Sequence, residues 1–211
     1  MLTSKQQLTD LLSRYGIPEA SESCARFLAY LALLEKWGCR FNLVGSLSWD
    51  SIGPFFEEGL WAGERYPKGS LVHLDIGSGA GFPALPMRII HPGMRLHLIE
   101  SRTKRAVFLE TACAELGLTG VRVHHCTLRT FLEEETAERI WDSVSWKALK
   151  LRRADLVSLV NASKAGTEFW IFHGEAIPVE GFEIGSLLRL CRRDSAPARR
   201  GWSLSLYRKT E

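Results

Sequence analysis

Absences narrow the field first. No apolar run reaches the roughly 18 residues that a membrane-spanning helix needs. Met1 to Asp10 is polar, without the hydrophobic core of an export signal. Cysteine is sparse and poorly spaced for structural use: the five, Cys24, Cys39, Cys113, Cys126 and Cys191, are odd in number, and no two share a C-x-x-C spacing. That disfavours a zinc site and a disulfide framework and implies a reducing compartment. There is no internal repeat and no low-complexity linker, and the formal net charge is only +3. The expectation is a cytoplasmic, monomeric protein with neither a membrane partner nor a metal.

What is present is the make-up of an ordinary globule, 45% hydrophobic and 24% charged over 211 residues. That length favours one domain with an extra segment at one end. It can bury roughly 70% of the surface that the unfolded chain exposes. The basic residues cluster. Lys147, Lys150, Arg152 and Arg153 form one group. Between Arg189 and Lys209, Arg192, Arg193, Arg199, Arg200 and Arg208 stand against a single acid, Asp194. Each group is open to two readings, a solvated face or a surface that meets phosphates.

The first 65 residues read as helices, over 3–15, 20–37 and 51–65. In the second, Phe27, Leu28, Leu31, Leu34 and Trp37 recur at helical spacing between Pro18 and Gly38. From Leu71 the pattern changes to short apolar strands, at 71–76, 95–100, 121–125, 141–146 and 168–173, with helices at 83–91, 102–117 and 152–164. Alternation of that kind means βαβ units and a largely parallel sheet. Residues 181–191 and 201–209 read as two further strands joined by a turn at 194–200, a closing antiparallel hairpin. The division expected is a helical extension over 1–66 packed on an α/β domain over 67–211.

The sharpest local signal is Asp75-Ile76-Gly77-Ser78-Gly79-Ala80-Gly81-Phe82-Pro83, where strand one feeds helix one. Glycine there permits a tight turn and close approach of a ligand to the backbone, and Pro83 suits a first helical position. A dinucleotide loop wants G-x-G-x-x-G or a terminal alanine. Phe82 fails that pattern; the spacing is G-x-G-x-G with an acid two residues before it. Glu100 closes strand two, where an acid accepts hydrogen bonds from ribose hydroxyls. The plain alternative is a structural turn beside a solvated glutamate.

Leu74 to Pro83, followed by Glu100-Ser101-Arg102-Thr103-Lys104-Arg105 and Phe108-Leu109, resembles the bacterial ribosomal RNA methyltransferase family RsmG, also called GidB. That family shows L-D-x-G-(S/T)-G-x-G-x-P and then an acid with S-x-x-K-R-x-x-F-L. Trp37 with Phe41-Asn42-Leu43 is similar to its W-x-x-x-x-N-L, and Arg200 to Lys209 to its final basic strand; the likeness runs from about residue 25 to 209. It implies a class I S-adenosylmethionine (SAM)-dependent methyltransferase, Rossmann-like, with a mostly parallel seven-stranded sheet and an N-terminal helical extension. The methyl group goes to N7 of a guanine in 16S ribosomal RNA, so the implied partner is ribosomal RNA or the 30S subunit.

By position, the resemblance gives a cofactor wall to Asp75, Gly77, Ser78, Gly79, Gly81 and Phe82, with Gly77 and Phe82 at the methionine end. Glu100, with Ser101, would hold the ribose, and Thr127 and Leu128 would meet the adenine. Lys147 stands where the family has an arginine near the cofactor and is the candidate catalytic residue. Four family motifs are altered: R-(A/V)-E after strand three is Cys126-Thr127-Leu128, S-R-A after strand four is Trp146-Lys147-Ala148, K-G after strand five is His173-Gly174, and H-x-x-D-S-L is Phe55-Phe56-Glu57-Glu58-Gly59-Leu60. The strand one and two side of the cofactor site is kept; the side that meets RNA is changed.

Guanine N7 carries an in-plane lone pair and no proton, so no general base is needed and the protein's task is alignment, worth ~7–11 kcal/mol of barrier. RNA would be held through phosphates, with His173, Arg199 and Arg200 as the candidate contacts. Trp146 is open to base stacking or core packing, and Phe82 to cofactor contact or helix capping. Two other readings stay open: a methyltransferase of the same fold acting on a small molecule or another RNA position, and a non-catalytic SAM- or RNA-binding protein. SAM raising the thermal midpoint, with NAD inert, would remove a dehydrogenase.

Overall fold

A computed structural model describes residues 2–38, 43–69, 71–133, 141–174, 187–197 and 199–210. Three helices come first: α1 (Ser4–Arg14), α2 (Glu22–Gly38) and α3 (Trp49–Arg65). Thr3 and Gln6 form a capping box at the start of α1, satisfying two backbone donors the helix leaves open. Leu8, Leu11 and Leu12 then fall on one buried face.

The rest winds β1 (Val72–Ile76), α4 (Ala84–Ile90), β2 (Arg95–Ile99), α5 (Thr103–Glu115), β3 (Val121–His124), α6 (Leu128–Glu133), β4 (Ser143–Lys147), α7 (Arg153–Ala162), β5 (Glu168–His173), β6 (Leu188–Ser195) and β7 (Ser203–Lys209). The seven-stranded sheet has the order β3-β2-β1-β4-β5-β7-β6. β1 to β5 pair in parallel; β7 runs antiparallel to both neighbours. The expected fold class is thereby met: a mostly parallel sheet closed by an antiparallel hairpin.

Each sheet face carries its own core. One buries Leu96, Leu98, Trp170, Phe172 and Leu204 under α1 to α5; the other buries Leu74, Val144, Trp146 and Ile171 under α6 and α7. The first core is continuous from Leu8 to Leu204. It is dense where α3 crosses α4: a Cβ on Gly59 would fall 2.5 Å from Pro86 and one on Gly63 2.1 Å from Ile90, so only glycine lets the helices approach so closely. Further ties run from the Arg26 Nε–H to the Leu116 carbonyl (3.0 Å) and between His91 Nε2 and the Gly63 carbonyl (2.7 Å).

Three elements depart from expectation. α6 is an unexpected helix, a six-residue turn that Thr127 opens by accepting the Thr130 N–H at 3.2 Å. β4 runs on to Lys147. β6 ends later than the strand expected at 181–191, because an irregularity between Leu190 and Arg192 lets it continue opposite β7 as far as Ser195. Residues 181–186 of that expected strand lie outside the described residues.

Candidate active site

In a sheet of this order the strand order reverses between β1 and β4, and the crevice beyond their carboxyl ends is where ligands bind. The glycine loop leaves β1 at that point. Gly77 has φ +69° and Gly79 +59°, backbone geometry that side chains resist. The N–H groups of Gly77 and Ser78 both go to the Ile99 carbonyl, at 2.8 and 3.1 Å, which bends the loop toward β2. There Glu100, 4% exposed, accepts the Gly79 N–H on Oε2 (2.9 Å) and the Arg102 N–H on Oε1 (2.8 Å). A carboxylate has about four lone-pair sites, so acceptor capacity remains. Above the loop, Tyr30 of α2 donates its hydroxyl to the Ala80 carbonyl, and burial holds that phenol well above its ordinary pKa.

Two cavities meet at Gly77, Lys147 and Ala148. The larger, about 500 Å³, also takes in Glu100, Ser101, Thr127 and Leu128. The smaller, about 160 Å³, takes in Asp75, Ser78, Gly79 and Phe82. Leu149 lies over Gly77, 3.1 Å from where a Cβ would stand, so a side chain there would disturb the wall between the cavities. Ala148 adopts φ +52°, a strained value for a residue with a Cβ. A third cavity, about 420 Å³, gathers His173, Arg199 and Arg200 with Arg193 and Trp202 at the hairpin.

Charge is concentrated at the smaller cavity. Asp75 is 2% exposed; Ser145 donates to its Oδ1 at 2.5 Å, while its Oδ2 has no hydrogen-bond partner. Burial, against the help of Ser145, Ser78 and Lys147, raises its pKa to about 6. Lys147 donates to Glu58 of α3, itself 1% exposed, and burial lowers the amine's pKa while Glu58 opposes the shift. Arg199 reaches in from the hairpin, its Nη1 4.0 Å from the other Glu58 oxygen and its guanidinium 3.8 Å from the Trp202 ring centre. Both cations lie over Phe55, at 4.3 and 4.9 Å.

The model of the GidB family, rRNA small subunit methyltransferase G, matches residues 23–176. The chain belongs to this family. A ribosomal RNA small subunit methyltransferase G of Limosilactobacillus reuteri is 30% identical over 189 residues, 87% of this chain and 78% of that protein. Among solved structures, a mutant of MtNAS in complex with S-adenosylmethionine superposes with a TM-score of 0.60 at 17% identity, covering 87% of this chain and 74% of that one. A SAM-dependent methyltransferase from Aquifex aeolicus gives 0.58 at 17% identity, covering 76% and 93%. At such identities the structures speak for the fold. Family membership makes the chain a SAM-dependent ribosomal RNA methyltransferase, as the resemblance implied.

Two of the four altered motifs meet in one place. Phe55, Glu58 and Lys147 come from two of the altered motifs and touch one another; the guanidinium missing at Lys147 is supplied nearby by Arg199. Other expectations need correction. Trp146 is 1% exposed in the core under α6 and α7, so it does not stack on a base. Gly81 is turned inward, where a Cβ would meet Leu85 at 2.4 Å and the Tyr30 hydroxyl at 3.0 Å; packing explains it. Phe82 does not cap the helix, whose cap is Pro83; it lines the smaller cavity and packs against Tyr30, Phe55 and Phe56. His124 is half-buried and stacked on His97. Tyr30, Leu149 and the strain at Ala148 were not singled out by sequence, and the pairing of Glu58 with Lys147 was not foreseen, since it joins segments distant in the chain. Among the described residues no helix is long and apolar enough to cross a membrane, and no cluster of metal-ligating side chains occurs.

Proposed function

We propose that this chain moves the methyl group of SAM to N7 of a guanine in 16S ribosomal RNA. The supporting observation is a pair of carboxylates flanking Gly77. Glu100 borders the larger cavity with acceptor capacity to spare, which suits ribose hydroxyls. Asp75 borders the smaller one with a buried oxygen that nothing in the described chain satisfies, which suits an ammonium group. SAM carries both groups. A dinucleotide would set a pyrophosphate near Asp75 and repel it.

In this reading Glu100 and Ser101 hold the ribose, and Thr127 and Leu128 border the adenine. Asp75, Gly77, Ser78, Gly79 and Phe82 enclose the methionine end. When bound, SAM supplies a methyl group activated on a sulfonium. The chain's own work is alignment and charge balance. Lys147 sits where the two cavities join, and Glu58 neutralises it. The positive charge that grows on a methylated base therefore meets an amine whose own charge is opposed. Of the three Nζ donors, one serves Glu58; the others are available to an acceptor on the base edge, the role assigned to Lys147 as the catalytic residue. Arg199 and Arg200 hold RNA phosphates; His173, expected to join them, is buried with its ring nitrogens hydrogen-bonded to the Gly174 carbonyl and the Ser205 hydroxyl and has no donor left for one. Residues 1–66 act as the extension that clamps the loop and 67–211 as the transferring domain, working as a monomer in the cytoplasm.

A labelled-methyl assay on 30S subunits, naked 16S RNA and a metabolite pool tests this. Label at a guanine N7 of the RNA is expected. Label confined to metabolites, or at another RNA position, would overturn the assignment, and SAM binding without any transfer would mean that the altered RNA side has abolished the reaction.

A further inference from the structure

The sheet face beneath the N-terminal helices is apolar except along one seam. His73 and Asp75 alternate on β1, Ser143 and Ser145 alternate on β4, and the parallel register sets His73 beside Ser143 and Asp75 beside Ser145. Alternation turns all four to the same face. All are buried, with Leu96 and Leu98 on one side and Trp170 on the other. Tyr66, at the end of α3, closes the row.

The hydrogen bonds form one chain. Tyr66 Oη lies 2.6 Å from Ser143 Oγ, which lies 2.7 Å from His73 Nδ1. His73 Nε2 lies 2.8 Å from Ser145 Oγ, which donates to Asp75 Oδ1 at 2.5 Å. The proton directions follow from the far end. An ionised carboxylate only accepts, so the Ser145 hydroxyl points to Asp75 and its oxygen must accept from His73 Nε2–H. A neutral imidazole has one N–H, so Nδ1 is an acceptor and takes the Ser143 proton, while Ser143 accepts from Tyr66. Every proton points toward Asp75, and bonds aligned in this way polarise one another in a low-dielectric interior. Burial keeps His73 neutral, its pKa lowered to about 3.

We propose that His73 is a positioning residue for methyl transfer: through Ser145 it holds the ionised Asp75 carboxylate with Oδ2 turned free for the ammonium of SAM. The proposal rests on the role given to Asp75 above; the chain of bonds does not. The other groups whose charges act on Asp75 are Lys147 of β4, which favours its ionisation, Glu100 beyond β2, which opposes it, and the Tyr30 phenol of α2. Asp75 already titrates near 6, so a weakened Ser145 bond moves its midpoint further up.

Two measurements test it. In the ligand-free protein, nitrogen NMR of the imidazole should show His73 as the pure Nε2–H tautomer, and Tyr66→Phe should admit the other tautomer. By calorimetry, SAM affinity of the unaltered protein should fall as pH drops through about 6. In His73→Leu that midpoint should rise by about one unit, so affinity falls about twofold at pH 7 and up to about tenfold below pH 6, while little is lost at high pH. His73→Gln, whose amide can both donate and accept, should restore the profile. An Nδ1–H or charged His73 overturns the proposal through the chain. SAM affinity independent of pH, with the tautomer as expected, overturns it through Asp75. A loss in His73→Leu equal at every pH means that the side chain only packs, and overturns it as well.

Discussion

Replacing Lys147 by methionine keeps most of the side chain's volume but removes the partner of a carboxylate that is 1% exposed. Glu58 would keep only Arg199, 4.0 Å away and not hydrogen-bonded. Breaking a buried ion pair from one side costs ~3–5 kcal/mol. Because Arg199 still offsets part of the stranded charge, a loss near the lower limit, about 3 kcal/mol, is expected. For a chain of this length that is a fall of about 6–12 °C in melting temperature. Removing both charges in Glu58→Leu/Lys147→Met should recover part of the loss, since the charge then left without its carboxylate is the half-buried Arg199 rather than the fully buried Glu58. Urea unfolding of the two single variants and the double variant gives the coupling directly. A Lys147→Met loss below about 1 kcal/mol, or a double variant no more stable than the single, would refute this account of the pair. The stable double variant should still transfer no methyl group, which separates the amine's contact with the base from its part in folding.

Other outcomes follow from the same geometry. The Asp75 pKa is raised above its unfolded value, so the folded chain holds that proton more tightly; stability is greatest below the unfolded pKa and falls as pH rises through about 6. Asp75→Asn should therefore stabilise the protein near neutral pH by about 1–3 kcal/mol while abolishing measurable SAM binding; a variant that melts lower and still binds SAM would contradict both halves. Gly77→Ala combines a left-handed φ with a clash against Leu149 and should cost ~1–2 kcal/mol by melting, with SAM affinity falling further than stability by calorimetry. Arg200→Ala should weaken RNA binding and reduce the slope of its salt dependence by about one, leaving SAM affinity unchanged.

Legibility in the sequence followed locality. The Gly77–Pro83 loop and Glu100 were readable because glycine spacing and strand ends are demands the backbone makes within a few residues. The largely parallel sheet followed from alternating strands and helices, but its strand order did not. The Tyr66–Asp75 seam was not readable: it needs the register between β1 and β4, which lie some 70 positions apart, and His73 looks like part of an apolar run until its neighbours are known. The Glu58–Lys147–Arg199 cluster joins three distant segments, so only its altered members stood out. Strand parity decides between the two roles left open for Trp146. With β4 ending at Lys147, alternation turns Lys147 toward the cavities and Trp146 to the opposite layer. α6 is too short to announce itself by periodicity.

The bond from Tyr30 to the Ala80 carbonyl bears on any attempt to shorten the chain. The residue that steadies the bend of the glycine loop lies some fifty positions upstream of it, on a helix that shares its oily interior with the sheet. Cutting away the leading helices to obtain a minimal catalytic fragment would strip that interior and untether the bend together. The fragment would lose its grip on the methyl donor even where its strands still paired.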